Sequence, residues 1–230
     1  MRKGVQKLYK EVASTYEMIN HVITFGLDII WRKRAVREVA GKGGETWLDV
    51  CCGTGEMTRN LARKANSDTR ICSVDFSQEM LSLAMKKKFE KKILFTLADV
   101  GNLPFPDETF DLLTISFSTR NLNLSREEMQ HHLAEFFRVL KPEGRFLNLE
   151  TSQPSSLILR KAFHLYIRAV VPIVGALISG SKAGYKYLAY TVPRFYSPKD
   201  FKEMLHRTGF RNVHFRVLFF GISAIHLAEK

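Results

Sequence analysis

The chain has 230 residues, 45% of them hydrophobic, and carries 35 Lys+Arg against 23 Asp+Glu, a formal net charge of +12. That length suits one α/β domain with an insertion or cap and argues against two full domains, and the composition is that of a soluble globular chain. The positive excess points to an anionic partner, either nucleic acid or an acidic membrane surface, with a lysine-rich solvated face as the plain alternative. Three cysteines, two of them the adjacent Cys51 and Cys52, suit neither a disulfide scaffold nor a zinc site. A reduced, cytoplasmic setting is therefore expected, with no metal. The start Met1-Arg2-Lys3-Gly4 lacks a following apolar core, so no signal peptide is expected.

In chain order, Val5, Leu8, Tyr9 and Val12 share one helical face, and Ile29, Ile30, Val36 and Val39 repeat that spacing. Residues 16–26 between them read as a lid or packed loop, the alternative being an amphipathic helical cap. Gly41, Gly43 and Gly44 then break the chain, closing an N-terminal helical lid over residues 1–44. Trp47, Leu48 and Val50 make a short buried strand, small residues follow, and Met57, Leu61 and Ala62 resume at helical spacing. Strand, tight turn and helix form the first βα unit of a dinucleotide-type fold. Gly53 and Gly55 allow positive φ and close approach of a ligand. Thr58 stands where a nicotinamide fingerprint has its third glycine. Asp49 would repel a pyrophosphate but suits an ammonium group, and S-adenosylmethionine has an α-amino group, a sulfonium and no phosphate.

Asp75 ends the β-like run Arg70–Val74, about twenty residues past the glycines, where a carboxylate can accept both ribose hydroxyls. It or Ser77 would alternatively cap the next helix. Asp99-Val100 follows the strand-like Ile93–Leu97, its carboxylate placed for an adenine amino group; alone, Asp99 reads as a turn residue. The strand Phe110–Ile115 delivers Ser116, Arg120 and Asn121 to the same carboxyl edge, where ligands of open α/β sheets bind. Leu133, Phe136, Phe137, Val139 and Leu140 indicate a helix, Lys141–Gly144 its end, and Arg145–Glu150 another strand. Residues 151–195 interrupt the alternation as an inserted helical cap. A helix over 198–206 and two terminal strands, 213–218 and 222–228, close the sheet as a hairpin. The expected fold is thus a seven-stranded, Rossmann-like α/β sheet with its last strand antiparallel.

The cap is strongly apolar but interrupted by Arg160, Lys161, His164 and Arg168. Its uninterrupted apolar run reads as too short to span a bilayer. A basic amphipathic segment can lie on an anionic membrane surface instead; a dimer or core helix is the alternative.

These motifs resemble the ubiquinone/menaquinone-biosynthesis C-methyltransferase family over nearly the whole chain. The resemblance is carried by Tyr16-Glu17-Met18-Ile19-Asn20 with Thr24, Phe25, Gly26 and Trp31, and by Arg138 to Phe146 ending in Glu150-Thr151-Ser152. Ile115-Ser116-Phe117, Arg120-Asn121, Tyr185-x-Tyr187-Leu188 and Gly209-Phe210 extend it. It implies S-adenosylmethionine as methyl donor, held by Asp49, Gly53, Thr54, Gly55, Thr58, Asp75, Phe76, Asp99, Val100 and Ser116. It also implies a prenylated quinol acceptor, with Arg120 orienting a water or stabilising a phenolate and Asn121 and Tyr185 as hydrogen-bond partners. A salt bridge is the alternative for Arg120, and packing for the tyrosines. Several substrate-side positions depart from the family: Asp28 replaces a usual histidine, Glu17 an aspartate, Ile19 a methionine, Ser118-Thr119 a glycine–apolar pair, and Phe219 a common threonine. No histidine lies in the strand-end motifs, so no general base is evident there. Another small aromatic or lipid acceptor is a second reading. A nucleic-acid methyltransferase, favoured by charge alone, and a non-catalytic S-adenosylmethionine-binding protein are two more. Amino-directed nucleic-acid enzymes resemble one another in an Asn/Asp-Pro-Pro-aromatic turn, but Ser116-Phe117-Ser118-Thr119 stands here, so nucleic acid is not expected.

Overall fold

The computed structural model describes residues 13–39, 41, 44–180 and 182–230. The helical face expected over Val5–Val12, and Gly43, lie outside the described residues. Two helices come first, α1 (Tyr16–Ile23) and α2 (Leu27–Val39). They are followed by β1 (Thr46–Val50), α3 (Glu56–Ala62), β2 (Arg70–Asp75), α4 (Gln78–Met85), β3 (Ile93–Leu97) and β4 (Phe110–Ser116). A short α5 (Thr119–Leu122), α6 (Arg126–Val139) and β5 (Leu140–Thr151) complete the middle. Helices α7 (Leu157–Ser179) and α8 (Lys182–Thr191) precede α9 (Pro198–Thr208), β6 (Arg211–Leu218) and β7 (Ser223–Glu229).

The strands form one sheet in the order β3-β2-β1-β4-β5-β7-β6. Neighbours from β3 to β5 pair in parallel, and β7 runs antiparallel to both β5 and β6. The expected seven-stranded sheet with an antiparallel last strand is what forms. Val50 stands opposite Val74 on one side and Ile115 on the other, so β1, β2 and β4 end together. The chain winds outward from β1 to β3, then returns to the other side of β1 with β4. That reversal opens the crevice where α/β folds bind ligands.

Side chains alternate across the sheet and build two cores. Leu48, Val50 and Leu113 pack with Phe136, Phe146, Phe201 and Phe210 on one face. Trp47, Leu112 and Leu147 pack with Val36, Val39 and Leu61 on the other.

Several local expectations change. Residues 16–23 are a helix, the alternative given for this segment rather than the packed loop. Ile30 is exposed, whereas Asp28, Trp31, Arg32, Ala35, Val36 and Val39 form the buried stripe of α2. Two polar residues at this buried helical spacing are the reason an apolar-only reading misses the face. The strand β5 begins at Leu140 and contains Lys141–Gly144. Helix α7 is 23 residues, long and apolar enough by length and composition to cross a membrane, although Arg160, Lys161 and Arg168 interrupt its apolar run as read from the sequence. Phe163, Ile167, Val171 and Gly175, four residues apart, are its buried stripe, packed with Ile19 of α1 and Tyr185 of α8. Pro172 lies inside it, on the turn next to that stripe.

Candidate active site

The strand ends place Gly53, Thr54, Asp75, Phe76, Asp99, Val100 and Ser116 around one pocket, together with Asn121 of α5 and Tyr16, Asn20 and His21 of α1. Asp75 organises it. Its carboxylate accepts the Gly53 N–H at 2.8 Å and the Ser77 N–H at 2.9 Å. Burial pushes its pKa up, against the backbone bonds that favour its charge. Ser77 in turn caps α4, its Oγ accepting the Met80 N–H at 3.3 Å. The capping alternative falls to Ser77, while Asp75 braces the turn and lines the pocket.

The two glycines divide their work. Gly53 has φ +54°, and a Cβ there would meet nothing within 4 Å, so its missing side chain opens onto the pocket. Gly55 has φ +84°, and a Cβ would meet Phe89 at 3.2 Å and Ala84 at 3.4 Å; it serves packing. Cys51 also takes a positive φ of 52°, a bend its residue type does not announce.

Asp49, Gly55 and Thr58 are not among the residues lining the pocket. Asp49 is sealed beneath it, accepting hydroxyl bonds from Thr58 at 2.7 Å and Thr114 at 2.8 Å. Burial lifts its pKa to about 6 despite those bonds. The lining is net acidic, with Glu17, Asp28, Glu56, Asp75 and Asp99 against Arg32. Such a pocket disfavours a pyrophosphate and suits a sulfonium with an ammonium group. The residues present therefore fit S-adenosylmethionine, with Asp75 and Asp99 placed to accept bonds and Gly53 leaving room for the ligand.

A second cavity, of about 450 Å³, adjoins the first and is mostly apolar. Ile23, Phe25 and Trp31 line it from the N-terminal side, Leu159, Phe163 and Tyr166 from α7, and Phe219, Phe220 and Ile222 from the β6–β7 turn. Tyr16, Asn20, Asp28 and Arg32 line both cavities and so form their shared wall. Arg120 lines the apolar cavity, but as half of a buried ion pair with Glu150 at 2.8 Å. Glu150 also accepts the Arg120 N–H at 3.1 Å and the Thr151 N–H at 2.7 Å. Tyr185 lines neither cavity. Its ring lies against Gly175, where any Cβ would sit 2.1 Å from it, and burial pushes its phenol pKa up.

The sequence reading missed one group. His21 Nδ1 lies 3.0 and 2.9 Å from the two Asp28 carboxylate oxygens. Asp28 also accepts from Thr24 Oγ1 at 2.8 Å and from Arg32 Nη1 at 2.6 Å. Burial raises the Asp28 pKa, but the Arg32 charge and the bonds from His21, Arg32 and Thr24 outweigh it and hold the carboxyl below its ordinary value. The seven-residue spacing of His21 and Asp28 crosses the break between two helices, so no helical periodicity points to the contact. The usable signal was Asp28 itself, a charged residue within an apolar-periodic segment.

Sheet order, acidic strand-end anchors and the twin cavities define a class I S-adenosylmethionine-dependent methyltransferase. A sequence model of the ubiE/COQ5 methyltransferase family matches residues 1–230, and the chain belongs to that family. It is 37% identical to a demethylmenaquinone methyltransferase of Lactobacillus johnsonii, covering 99% of this chain and 93% of that one. It is 35% identical to a ubiquinone/menaquinone biosynthesis C-methyltransferase of Geobacter sulfurreducens, covering 98% and 88%. Among solved structures it is similar in fold to an S-adenosylmethionine-dependent methyltransferase of Thermotoga maritima. The TM-score there is 0.69 at 18% identity, covering 97% of this chain and 99% of that chain. Human N-acetylserotonin methyltransferase, solved in complex with S-adenosylmethionine, gives 0.63 at 18% identity, covering 94% and 57%.

Proposed function

We propose that this enzyme methylates a ring carbon of a reduced, prenylated naphthoquinol, using S-adenosylmethionine held by Gly53, Asp75 and Asp99. The observation that carries this reading is the shared wall: the apolar cavity meets the acidic pocket at Tyr16, Asn20, Asp28 and Arg32. A ring seated at that wall has its tail among aromatic side chains and one edge toward the donor. The relatives named for demethylmenaquinone favour the naphthoquinol over a benzoquinol. Bound in the pocket, S-adenosylmethionine supplies a methyl group already activated on sulfur. The residues of this chain then have three tasks: align donor and ring carbon, exclude water, and accept a hydroxyl proton. On this reading Arg120, which lines the apolar cavity and is fixed by Glu150, favours a phenolate there.

The test is methyl incorporation from labelled S-adenosylmethionine into demethylmenaquinol, its benzoquinol counterpart and transfer RNA, each with and without reductant. The expected result is incorporation into the naphthoquinol only when reduced, because only the reduced ring has a hydroxyl whose ionisation enriches the attacked carbon. Methylation of RNA, or of quinone regardless of redox state, would overturn the reading.

The same reading includes peripheral docking on an anionic membrane at the cytoplasmic face. Phe25 is 81% exposed, Ile158 81% and Phe220 72%, and Phe25 and Phe220 also line the apolar cavity. An exposed apolar rim around such an opening suits entry of a prenyl tail directly from lipid. Arg160, Lys161 and Arg168 on α7 supply positive charge. Co-sedimentation with anionic vesicles, weakened by salt and by Phe25→Ser/Phe220→Ser, is expected. A salt-independent dimer that buries these residues instead would assign the face to a second copy of the chain.

A further inference from the structure

Methylation at carbon needs a group that accepts the acceptor's hydroxyl proton, and the residues singled out from the sequence do not provide one. Arg120 is a cation committed to Glu150. Tyr185 lies outside both cavities. His132 Nδ1 is taken by the Glu128 carbonyl at 2.5 Å, on a buried side chain.

His21 differs from these. It lines the donor pocket, and its side chain is 32% exposed while that of Asp28 is 2%. Asp28, held ionised by Arg32, can only accept, so Nδ1 carries the hydrogen, and in the neutral imidazole the lone pair is then on Nε2. Among the described residues Nε2 has no hydrogen-bond partner. Asp28 itself touches both cavities, so the pair stands where the ring edge must lie if the quinol occupies the apolar side. A buried carboxylate behind an imidazole fixes its tautomer and its orientation, and stabilises the imidazolium formed when it takes a proton. Thr24 and Arg32 hold the carboxylate in turn, so the arrangement is built before any ligand arrives.

We propose that His21, oriented by Asp28, is the proton acceptor for the quinol hydroxyl; this rests on the acceptor reading above. The O–H proton passes to Nε2, and the ring carbon forms its bond to the methyl carbon as the carbon–sulfur bond breaks, that electron pair staying on sulfur. The ring carbon then loses its hydrogen as a proton to solvent. The regenerated phenolate oxygen takes back the proton held on His21. One proton is released per turnover, and no oxidant or reductant is consumed.

The experiment measures kcat, KM and donor binding for His21→Ala, His21→Gln, Asp28→Asn and the double exchange His21→Asp/Asp28→His. The probes are labelled S-adenosylmethionine and a short-chain demethylnaphthoquinol. His21→Ala is expected to lower kcat about 100-fold or more, with the donor Kd within about threefold of wild type. The deficit should shrink on a quinol bearing an electron-withdrawing substituent, whose hydroxyl ionises without help; loss of packing alone would not show this. Asp28→Asn strands Arg32 and lowers stability as well as kcat. The double exchange keeps a histidine–carboxylate pair beside Arg32, and is expected to recover at least tenfold of the activity lost by Asp28→Asn. A His21→Ala enzyme within threefold of wild-type kcat overturns the proposal. So does a deficit identical on both quinols. A wild-type enzyme inactive on every quinol overturns the acceptor reading instead, which separates the two failures.

Discussion

The donor pocket and the acceptor cavity are made from the same chain in opposite ways. The donor pocket is a product of the sheet edge: β1, β2 and β4 end level, and each delivers its lining residue within three residues of the strand end. The acceptor cavity is assembled from α1, α2, α7 and the β6–β7 turn, segments up to about two hundred residues apart in sequence. A side chain in the first is placed by local backbone geometry. A side chain in the second is placed by how helices pack, so the same residue types carry far less positional information. Chemistry follows the division. The donor side fixes charge and hydrogen bonds for one constant ligand, whereas the acceptor side offers apolar volume and a polar seam.

The buried ion pair behind the acceptor cavity is where the comparison is most easily broken. Glu150 and Arg120 are both buried, and Glu150 additionally bonds the Arg120 and Thr151 backbone. Removing one member of a buried pair leaves the other uncompensated, at a cost of about 3–5 kcal/mol. Glu150→Ala is therefore expected to be the most damaging single change at the site, read as a lower urea midpoint at unchanged slope. Arg120→Ala would strand Glu150 in the same way, so a fall in its turnover mixes chemistry with folding. A Glu150→Ala protein of wild-type stability would show that the acceptor side is not braced by this pair.

Asp75→Ala sharpens the other half. It removes an acceptor on the pocket lining and unbraces the Gly53 and Ser77 N–H groups. A charge-assisted bond is worth about 1.5–3 kcal/mol, so donor affinity should fall about 10- to 100-fold. Calorimetry should show this with KM for the quinol nearly unchanged. Equal losses on both substrates would mean the two cavities are not separable as described.

The same division decided what could be read without the structure. The strand-end pattern from Thr46 to Asn121 needed only alternation, glycines and carboxylates at strand spacing, and it led to the sheet and the pocket; the family came from resemblance, through motifs spread from Tyr16 to Phe210. It did not show depth. Asp49 and Asp75 look alike as strand-end acids, yet one faces the pocket and the other is sealed under it by Thr58 and Thr114. Tyr185, placed near the acceptor by resemblance, instead packs on Gly175. His21 gave no signal because its partner lies beyond a helix break, and contacts of that kind are set by packing angles rather than periodicity.

Asp49 supplies the smallest and cleanest test of that difference in depth. Burial raises its pKa to about 6 from an ordinary value of 3.8. Between these values the native protein binds more protons than the unfolded chain, so this group's contribution to stability falls as pH rises. From pH 4.5 to 7 the fall should be about 2 kcal/mol, taking about 1.4 kcal/mol for each pH unit below the native pKa. Asp49→Asn has no such titration and can still bond both threonines, accepting from one hydroxyl and donating to the other. Relative to wild type, the variant should therefore gain about 2 kcal/mol on going from pH 4.5 to 7. Other acids pull the opposite way: Asp28 and Asp111, with depressed pKa values, lose their contributions as pH falls. Taking the difference between wild type and variant at each pH removes them, because they are common to both. Urea unfolding at four or five pH values suffices. A variant that gains nothing on wild type between pH 4.5 and 7, or that loses ground to it, would mean Asp49 is not held above its ordinary pKa by burial.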